Sequence, residues 1–208
     1  MFNPERPTLT CMETLERKPR SREQIRSGII QTAKTIARRD GWQAVSIRKI
    51  ADAIEYSAPV VYEYFDGRDV LLSTIRDEGF AQLNEQYHRI MKLYRDPEKR
   101  LFEISLIQWA FARQEPEVYQ VMYNMEGAYC ALPVYQSEAL QSLSDTVCEI
   151  ITSFIPKSKE SIRRLYYQWW ALSHGMISLG MMLQEEQPID QSEQTYRESM
   201  RRFVRELR

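Results

Sequence analysis

The chain has 208 residues, enough for one large or two small domains, and its 43% hydrophobic and 27% charged residues are typical of a globular protein. Its 7 glycines and 9 prolines disfavour a turn-rich all-β fold, and its two histidines, His88 and His174, do not form the usual zinc or histidine-dependent catalytic patterns. The 28 basic and 29 acidic residues give a net charge of −1, so any surface for a polyanion must be local.

The N-terminal part begins with an irregular segment and continues with a helix. Residues 1–19 contain three prolines and little periodicity, and we interpret them as a mobile arm. From Arg22 to Arg39 apolar residues recur at helical spacing, which predicts an amphipathic helix. Asp40-Gly41 should end it, since glycine suits a left-handed C-terminal position.

Two short helices joined by a tight turn are predicted next. Ser46 is expected to cap the first, whose apolar stripe covers residues 47–54. Ser57 is expected to cap the second, with Pro59 in its first turn, and Asp66-Gly67 ends it. This layout is that of a helix-turn-helix, although another helical hairpin fits the periodicity equally well.

The same region is locally basic. Residues 17–68 contain 11 lysines and arginines and 6 aspartates and glutamates, a balance of +5. Such a region suits DNA phosphates, although a solvated charged face is the simpler interpretation. If the second helix enters a major groove, its small apolar residues suit thymine methyl groups and Tyr62 could donate to a phosphate. The residues expected on that side are Ala58, Pro59, Val60, Tyr62 and Glu63.

The remainder of the chain also reads as helical. We predict helices at about 68–94, 97–114, 116–126, 138–155, 158–186 and 191–207, with breaks at Pro116, Pro133, Pro156 and Pro188. No alternating β-type run occurs. The expected fold is therefore all-α, with a small N-terminal part at about 20–66 and a larger C-terminal helical bundle.

The segment 163–184 is apolar on nearly every side, so we expect it to be buried on more than one face. In a dimer it would pack on its own bundle and on its twin. The apolar run from Trp169 to Leu183 is shorter than the roughly 20 residues of a membrane span, and we interpret it as a buried helix.

Cysteine usage and the N-terminus predict a cytoplasmic protein. Cys11, Cys130 and Cys148 lack CxxC spacing, so no disulfide framework is expected, and the later two are inert buried thiols or, alternatively, redox sensors. The first twenty residues lack the apolar stretch of a signal peptide.

Catalysis finds little support in the sequence. The carboxylate pairs Glu185-Glu186 and Glu115/Glu117 lie at predicted helix ends and are interpreted as solvated, and no histidine has metal-ligand spacing with a carboxylate. We therefore predict a protein that is not an enzyme and needs no metal or cofactor.

Residues 22–75 resemble the DNA-binding domain of TetR-type bacterial transcriptional regulators. The matching pattern is a glycine, a serine that starts a helix, an Ile-Ala pair, a serine that opens the recognition helix, Tyr-x-x-Phe and a basic residue before the next helix. Glu55 departs from the pattern, since the family commonly has glycine in that turn and positive φ is uncommon for other residues. The matching residues are Gly41, Ser46, Ile50-Ala51, Ser57, Tyr62, Phe65 and Arg68, followed by Val70 and Leu71.

The resemblance implies a three-helix helix-turn-helix DNA-binding domain at 20–67 and a helical bundle for ligand binding and dimerisation at 68–208. It also implies a homodimer whose two recognition helices read a palindromic operator one DNA turn apart, about 34–36 Å. By match, Ser46, Tyr62 and Arg68 would bind phosphates, with Arg48 as a further candidate. Residues at or near the groove would be Ser57, Ala58, Val60 and Tyr64. Arg20 and Arg22 would contribute from the arm or simply be solvated.

The C-terminal part is similar to a TetR subgroup with a Trp-His-Gly signature, through Trp170, His174-Gly175 and the segment 116–123. The resemblance implies an effector pocket. His174 is either a hydrogen-bonded core residue or a ligand contact in it. The expected pocket residues are Trp109, Met122, Tyr123, Trp170, His174 and Ile177.

These observations favour a ligand-responsive DNA-binding regulator, a repressor released from its operator by a small, largely apolar effector. Its expected partners are double-stranded DNA, that effector and a second copy of itself, with no membrane. The alternative is an α-helical small-molecule binding protein with a non-functional helix-turn-helix, and an all-α enzyme is the third candidate.

Overall fold

The computed structural model describes residues 21–125, 127–128, 137–154, 158–183 and 189–207, and the regular structure in these ranges is helical without a strand. The all-α prediction, with an N-terminal helix-turn-helix and a C-terminal helical domain, is confirmed. The predicted arm at 1–19, Arg20, Cys130 and Glu185-Glu186 lie outside the described residues, as do the breaks at Pro133, Pro156 and Pro188. The helices are α1 (Arg22–Asp40), α2 (Ile47–Ile54), α3 (Ala58–Tyr62), α4 (Arg68–Leu93), α5 (Pro97–Gln114), α6 (Pro116–Met122), α7 (Glu138–Thr152), α8 (Lys159–Met182) and α9 (Ile189–Glu206), with a 3-10 turn at Trp42–Ala44.

Local capping explains where the first helices begin and end. The Ser46 hydroxyl accepts a hydrogen bond from the Lys49 amide at 3.3 Å, so the predicted cap of α2 is confirmed. Ser57 occupies the N-cap position of α3, but its side chain makes no capping hydrogen bond. Gly41 has the expected positive φ of 79° after α1, yet its ψ of 162° lies outside the left-handed helical region.

The turn between α2 and α3 tolerates Glu55. This residue adopts φ 63° and ψ 40°, the left-handed conformation that costs a residue with a Cβ atom about 1–2 kcal/mol. The amides of Glu55 and Tyr56 bond back to Asp52 and Ala51 at 3.3 and 3.0 Å, which closes the turn. The departure from glycine therefore leaves the helix-turn-helix geometry in place.

The 26-residue helix α4 is the central element of the larger bundle and packs against α5, α6 and α7. Its approach to α6 depends on Gly79, because a Cβ atom there would lie 2.7 Å from Met122 Sδ and 2.7 Å from Val118 Cγ1. The helix α6 is shorter than predicted and ends at Met122.

The helix α8 is less buried within one chain than its composition predicts. Trp169, Ser173 and Ile177 are its fully buried residues. Tyr167, Leu179 and Met182 are 53%, 57% and 77% exposed. The expected burial on several faces is thus not reached inside one copy. None of the described helices is long and apolar enough to cross a membrane.

Candidate DNA-binding surface and effector cavity

The predicted DNA-reading residues lie on the outer side of the short helix α3 and its flanks. Val61 and Phe65 are buried and fix α3 on the domain core. Tyr62 is 55% exposed. The other expected contacts are exposed at Ser57, Pro59 and Glu63 and half-buried at Ala58, Val60 and Tyr64.

Two further predicted groups flank this helix. Ser46 and Arg48 are exposed at the start of α2. The guanidinium of Arg22 lies 5.7 Å from the centre of the Tyr64 ring, a cation–π contact between α1 and the end of α3. The surface therefore combines cationic, hydroxyl and small apolar groups.

Arg68 is engaged with backbone carbonyls rather than directed freely at solvent. Its Nε donates to Val45 O at 3.3 Å, and its Nη2 donates to Trp42 O at 3.0 Å and Gly127 O at 3.2 Å. The side chain thus joins the 3-10 turn of the N-terminal domain to the segment that follows α6. Sequence reasoning assigned Arg68 only a phosphate contact and missed this bridge.

A cavity of about 510 Å³ lies at the ends of α6 and α7 and along α8. Three predicted pocket residues, Tyr123, Trp170 and His174, line it. Trp109, Met122 and Ile177 do not, because each is buried in the core; Trp109 stacks on Tyr196 with ring centroids 4.7 Å apart. The lining residues are Tyr123, Leu140, Gln141, Ser144, Tyr166, Tyr167, Trp170 and His174.

His174 is hydrogen-bonded through its ring and also lines the cavity. Its Nδ1 lies 2.8 Å from the Tyr119 hydroxyl and its Nε2 lies 3.4 Å from Ser178 Oγ, so both ring nitrogens have partners. The same imidazole stacks on Trp170 at 5.3 Å and lines the cavity. Burial lowers the pKa of His174, which keeps the ring neutral at physiological pH.

A network of buried hydrogen bonds lies behind the cavity and was not predicted from the sequence. Gln108 Nε2 donates to the Tyr123 hydroxyl at 3.4 Å, and the Ser173 hydroxyl donates to Gln108 Oε1 at 3.0 Å. Ser173 also lies 2.7 Å from the Tyr196 hydroxyl, which donates to Ser105 O at 2.8 Å. Burial raises the pKa of Tyr123 to about 12, so its hydroxyl stays protonated. Single polar residues in apolar helices give no recognisable sequence pattern.

The short helix α6 also contacts the N-terminal domain, and here one prediction was wrong. Glu117 is not solvated but 2% exposed. Arg38 donates to it through Nε at 3.1 Å and Nη2 at 2.6 Å, and Trp42 Nε1 donates to the Glu117 carbonyl at 2.9 Å. Lys34 pairs with the half-buried Glu115 at 2.7 Å. We call this group the α1–α6 clamp: Lys34, Arg38, Trp42, Glu115 and Glu117.

Possible metal-binding groups and the Cys148 thiol were considered in the part of the chain that the structure describes. No group of three histidine, cysteine or acidic side chains is arranged to hold a metal ion there. Cys148 is half-buried, and burial together with the Asp145 carboxylate raises the pKa of its thiol. A raised pKa opposes formation of the reactive thiolate, which agrees with an inert thiol.

Comparison with known proteins supports this architecture. Residues 29–75 match the family model described as bacterial regulatory proteins, tetR family. Residues 29–75 therefore resemble the N-terminal domain of that family. A comparison of the sequence with curated proteins found no match.

Solved structures extend the similarity from this TetR-type domain to the whole fold. The transcriptional regulator FadR from Bacillus subtilis, in complex with stearoyl-CoA, is 16% identical, with a TM-score of 0.70 over 87% of this chain and 96% of that one. A TetR-family regulator from Bordetella parapertussis is 20% identical, with a TM-score of 0.60 over 89% and 94%. A single-substitution variant of TetR from Acinetobacter baumannii, in complex with minocycline, is 12% identical, with a TM-score of 0.65 over 86% and 93%. The chain therefore has the fold of TetR-family transcriptional regulators.

Proposed function

We propose that this chain is a ligand-responsive transcriptional repressor, which binds a palindromic operator as a homodimer and leaves it when a small, largely apolar effector occupies the cavity. Residues 20–67 would form the DNA-binding domain and residues 68–208 the effector-binding and dimerisation domain. In this proposal the protein acts in the cytoplasm and catalyses no reaction. The TetR-type domain and the cavity are its two supports.

The observation that carries the proposal is the position of α6 between the two sites. On one side, the Tyr119 hydroxyl bonds to His174 at 2.8 Å, and Tyr123, which follows α6, lines the cavity. On the other side, Glu117 is held by Arg38 and Trp42 of the N-terminal domain. A ligand that displaces Tyr123 or His174 would act on the helix to which the DNA-binding domain is attached. It shifts the DNA-binding equilibrium only by its differential affinity for the two states.

The homodimer is supported by the exposed apolar side of α8. Leu179 and Met182 would contact solvent in a single copy. Obligate interfaces between identical chains bury roughly 2,000 Å² or more, so the exposed face of α8 would form part of a larger contact. Two copies related by a twofold axis would present two α3 helices to the two half-sites of a palindrome.

On the DNA we assign Ser46, Arg48 and Tyr62 to phosphates, and Ala58, Pro59 and Val60 to base edges. Their exposure on α2 and α3 supports this assignment. Ser57, Tyr64 and Glu63 complete the reading side. Arg68 fits a different task in this proposal, because its three carbonyl bonds hold the segment after α6 against the N-terminal domain.

The effector class is supported by the cavity wall, which is mostly aromatic with few polar groups, as small-molecule sites generally are. The FadR structure holds stearoyl-CoA and the TetR variant holds minocycline, and both share this fold. A cavity at this place is thus compatible with ligand binding in TetR-type regulators.

Selection of bound fragments from the host genome, followed by fluorescence anisotropy on the selected site, tests the proposal. We expect sequence-selective binding that weakens steeply with salt, because phosphate contacts release counterions. In vitro transcription from the selected promoter should fall when the protein is added. Absence of selective binding would contradict the proposal and favour the small-molecule binding protein with a non-functional helix-turn-helix.

A further inference from the structure

Aromatic side chains form most of the lining of the effector cavity. Trp170 and the His174 imidazole are nearly parallel, at an interplanar angle of 5° and 5.3 Å between centroids, and Tyr123 lies 4.7 Å from the same imidazole. Tyr166 and Tyr167 supply two more rings, 5.5 Å apart. Aromatic faces carry the negative part of the ring quadrupole, so they attract cations that lie against them.

The described lining of the cavity contains no lysine, arginine, aspartate or glutamate, and exposed groups of both signs lie beside it in the chain. The neutral His174 adds no positive charge, because burial lowers its pKa. Burial is the main reason why the pKa of the Tyr166 hydroxyl is raised, and the Asp145 carboxylate, which follows the lining residue Ser144 on α7, adds to that rise. Arg163 and Arg164 of α8 are exposed and lie outside the lining.

We infer that this cavity binds a lipophilic organic cation, such as a quaternary ammonium or phosphonium ion with aromatic or alkyl substituents. The further statement that this cation is the effector rests on the proposed function. An anionic ligand would lose its hydration without a counter-charge in the wall, which is costly. A cation of the same shape gains both apolar burial and attraction to the rings and to Asp145.

Two ions of the same shape and opposite charge test the inference. Tetraphenylphosphonium and tetraphenylborate both present four phenyl groups around one central atom. Isothermal titration of the DNA-free protein should give a Kd for the phosphonium at least about tenfold lower than for the borate, in line with cation–π attraction in a desolvated site. Equal affinities, or tighter binding of the borate, would overturn the inference.

Variants then locate the attraction. Tyr167→Leu keeps an apolar side chain but removes a ring, and it should weaken phosphonium binding by about threefold to tenfold. Tyr167 is half exposed, so the fold tolerates this change. Asp145→Asn should weaken phosphonium binding by about twofold to fivefold, and less at high salt, because the carboxylate is exposed. Glu206→Gln on α9 is the matched control and should change neither affinity. Unchanged phosphonium affinity in both cavity variants would contradict cation recognition.

The same samples separate this inference from the proposed function. If the protein binds its selected operator but the phosphonium neither binds nor releases the DNA, cation recognition is wrong and the regulator stands. If the phosphonium binds with the expected charge preference but no DNA is bound selectively, the cavity inference stands and the regulator is wrong. Release of the operator by the phosphonium and not by the borate supports both.

Discussion

Replacing Arg38 is expected to destabilise the protein more than replacing its partner Glu117. The two side chains form a bidentate ion pair in which the carboxylate is 2% exposed and the guanidinium 56% exposed. Arg38→Gln leaves a buried carboxylate without its cationic partner. Glu117→Gln leaves a guanidinium that water can solvate. The asymmetry follows from the unequal burial of the two partners.

The magnitudes follow from the same geometry. Breaking a fully buried ion pair costs about 3–5 kcal/mol, and solvent at Arg38 screens part of this, so we expect about 2–3 kcal/mol for Arg38→Gln. The amide of Glu117→Gln keeps the volume and one acceptor, for a cost of about 1 kcal/mol. The double variant contains no buried charge at this place and should be close to Glu117→Gln alone. At about 2–4 °C per kcal/mol, Arg38→Gln should lower the Tm by about 4–12 °C.

Urea unfolding and calorimetry of the wild type, both single variants and the double variant measure these differences. Glu206→Gln is the control, because its partner Arg202 lies at a similar 3.2 Å but both side chains are exposed, at 67% and 81%. That change should cost less than about 0.5 kcal/mol. The reasoning fails if Arg38→Gln costs no more than the control, or if the double variant costs the sum of the two single changes.

Four further predictions concern separate parts of the molecule. Tyr62→Phe should weaken binding to all DNA sequences by about threefold to tenfold in anisotropy titrations, because one phosphate hydrogen bond is lost; unchanged affinity would argue against this docking. Met182→Glu places a charge on the proposed dimer face, and sedimentation equilibrium should report a 24.7 kDa monomer instead of twice that mass. Gly79→Ala should cost about 1–3 kcal/mol in urea unfolding, because the new methyl group overlaps Met122. Burial lowers the pKa of His174, so the neutral ring favours the folded state above about pH 6.5, and this contribution is lost as the pH falls below that value. His174→Gln should therefore reduce the drop in Tm between about pH 7.5 and 5.5, and an equal drop in both proteins would refute this.

Most of the fold could be predicted from local sequence signals. The helices of the N-terminal domain follow from apolar spacing and from caps such as Ser46, which act within four residues of the chain. The predicted all-α architecture is confirmed for that reason. The TetR-type domain was predicted from the family resemblance of residues 22–75, and the family model matches residues 29–75. The predicted helix ends are wrong by a few residues where local signals are weak. The helix α6 was predicted to end at about residue 126, but it ends at Met122, because Tyr123 has a non-helical backbone conformation.

The connection between the two candidate sites was decided only by tertiary structure. Glu117 resembles any carboxylate at a helix start, and its burial depends on Arg38, 79 positions earlier in the chain. Arg68 likewise reaches Gly127 across 59 positions, a bridge that the family resemblance, which implied a phosphate contact, did not indicate. Periodicity and capping report on neighbours within a few residues, whereas the environment of a charged side chain is set by whatever helix folds against it. The sequence therefore determined which helices form, and their packing determined that α6 joins the cavity to the DNA-binding domain.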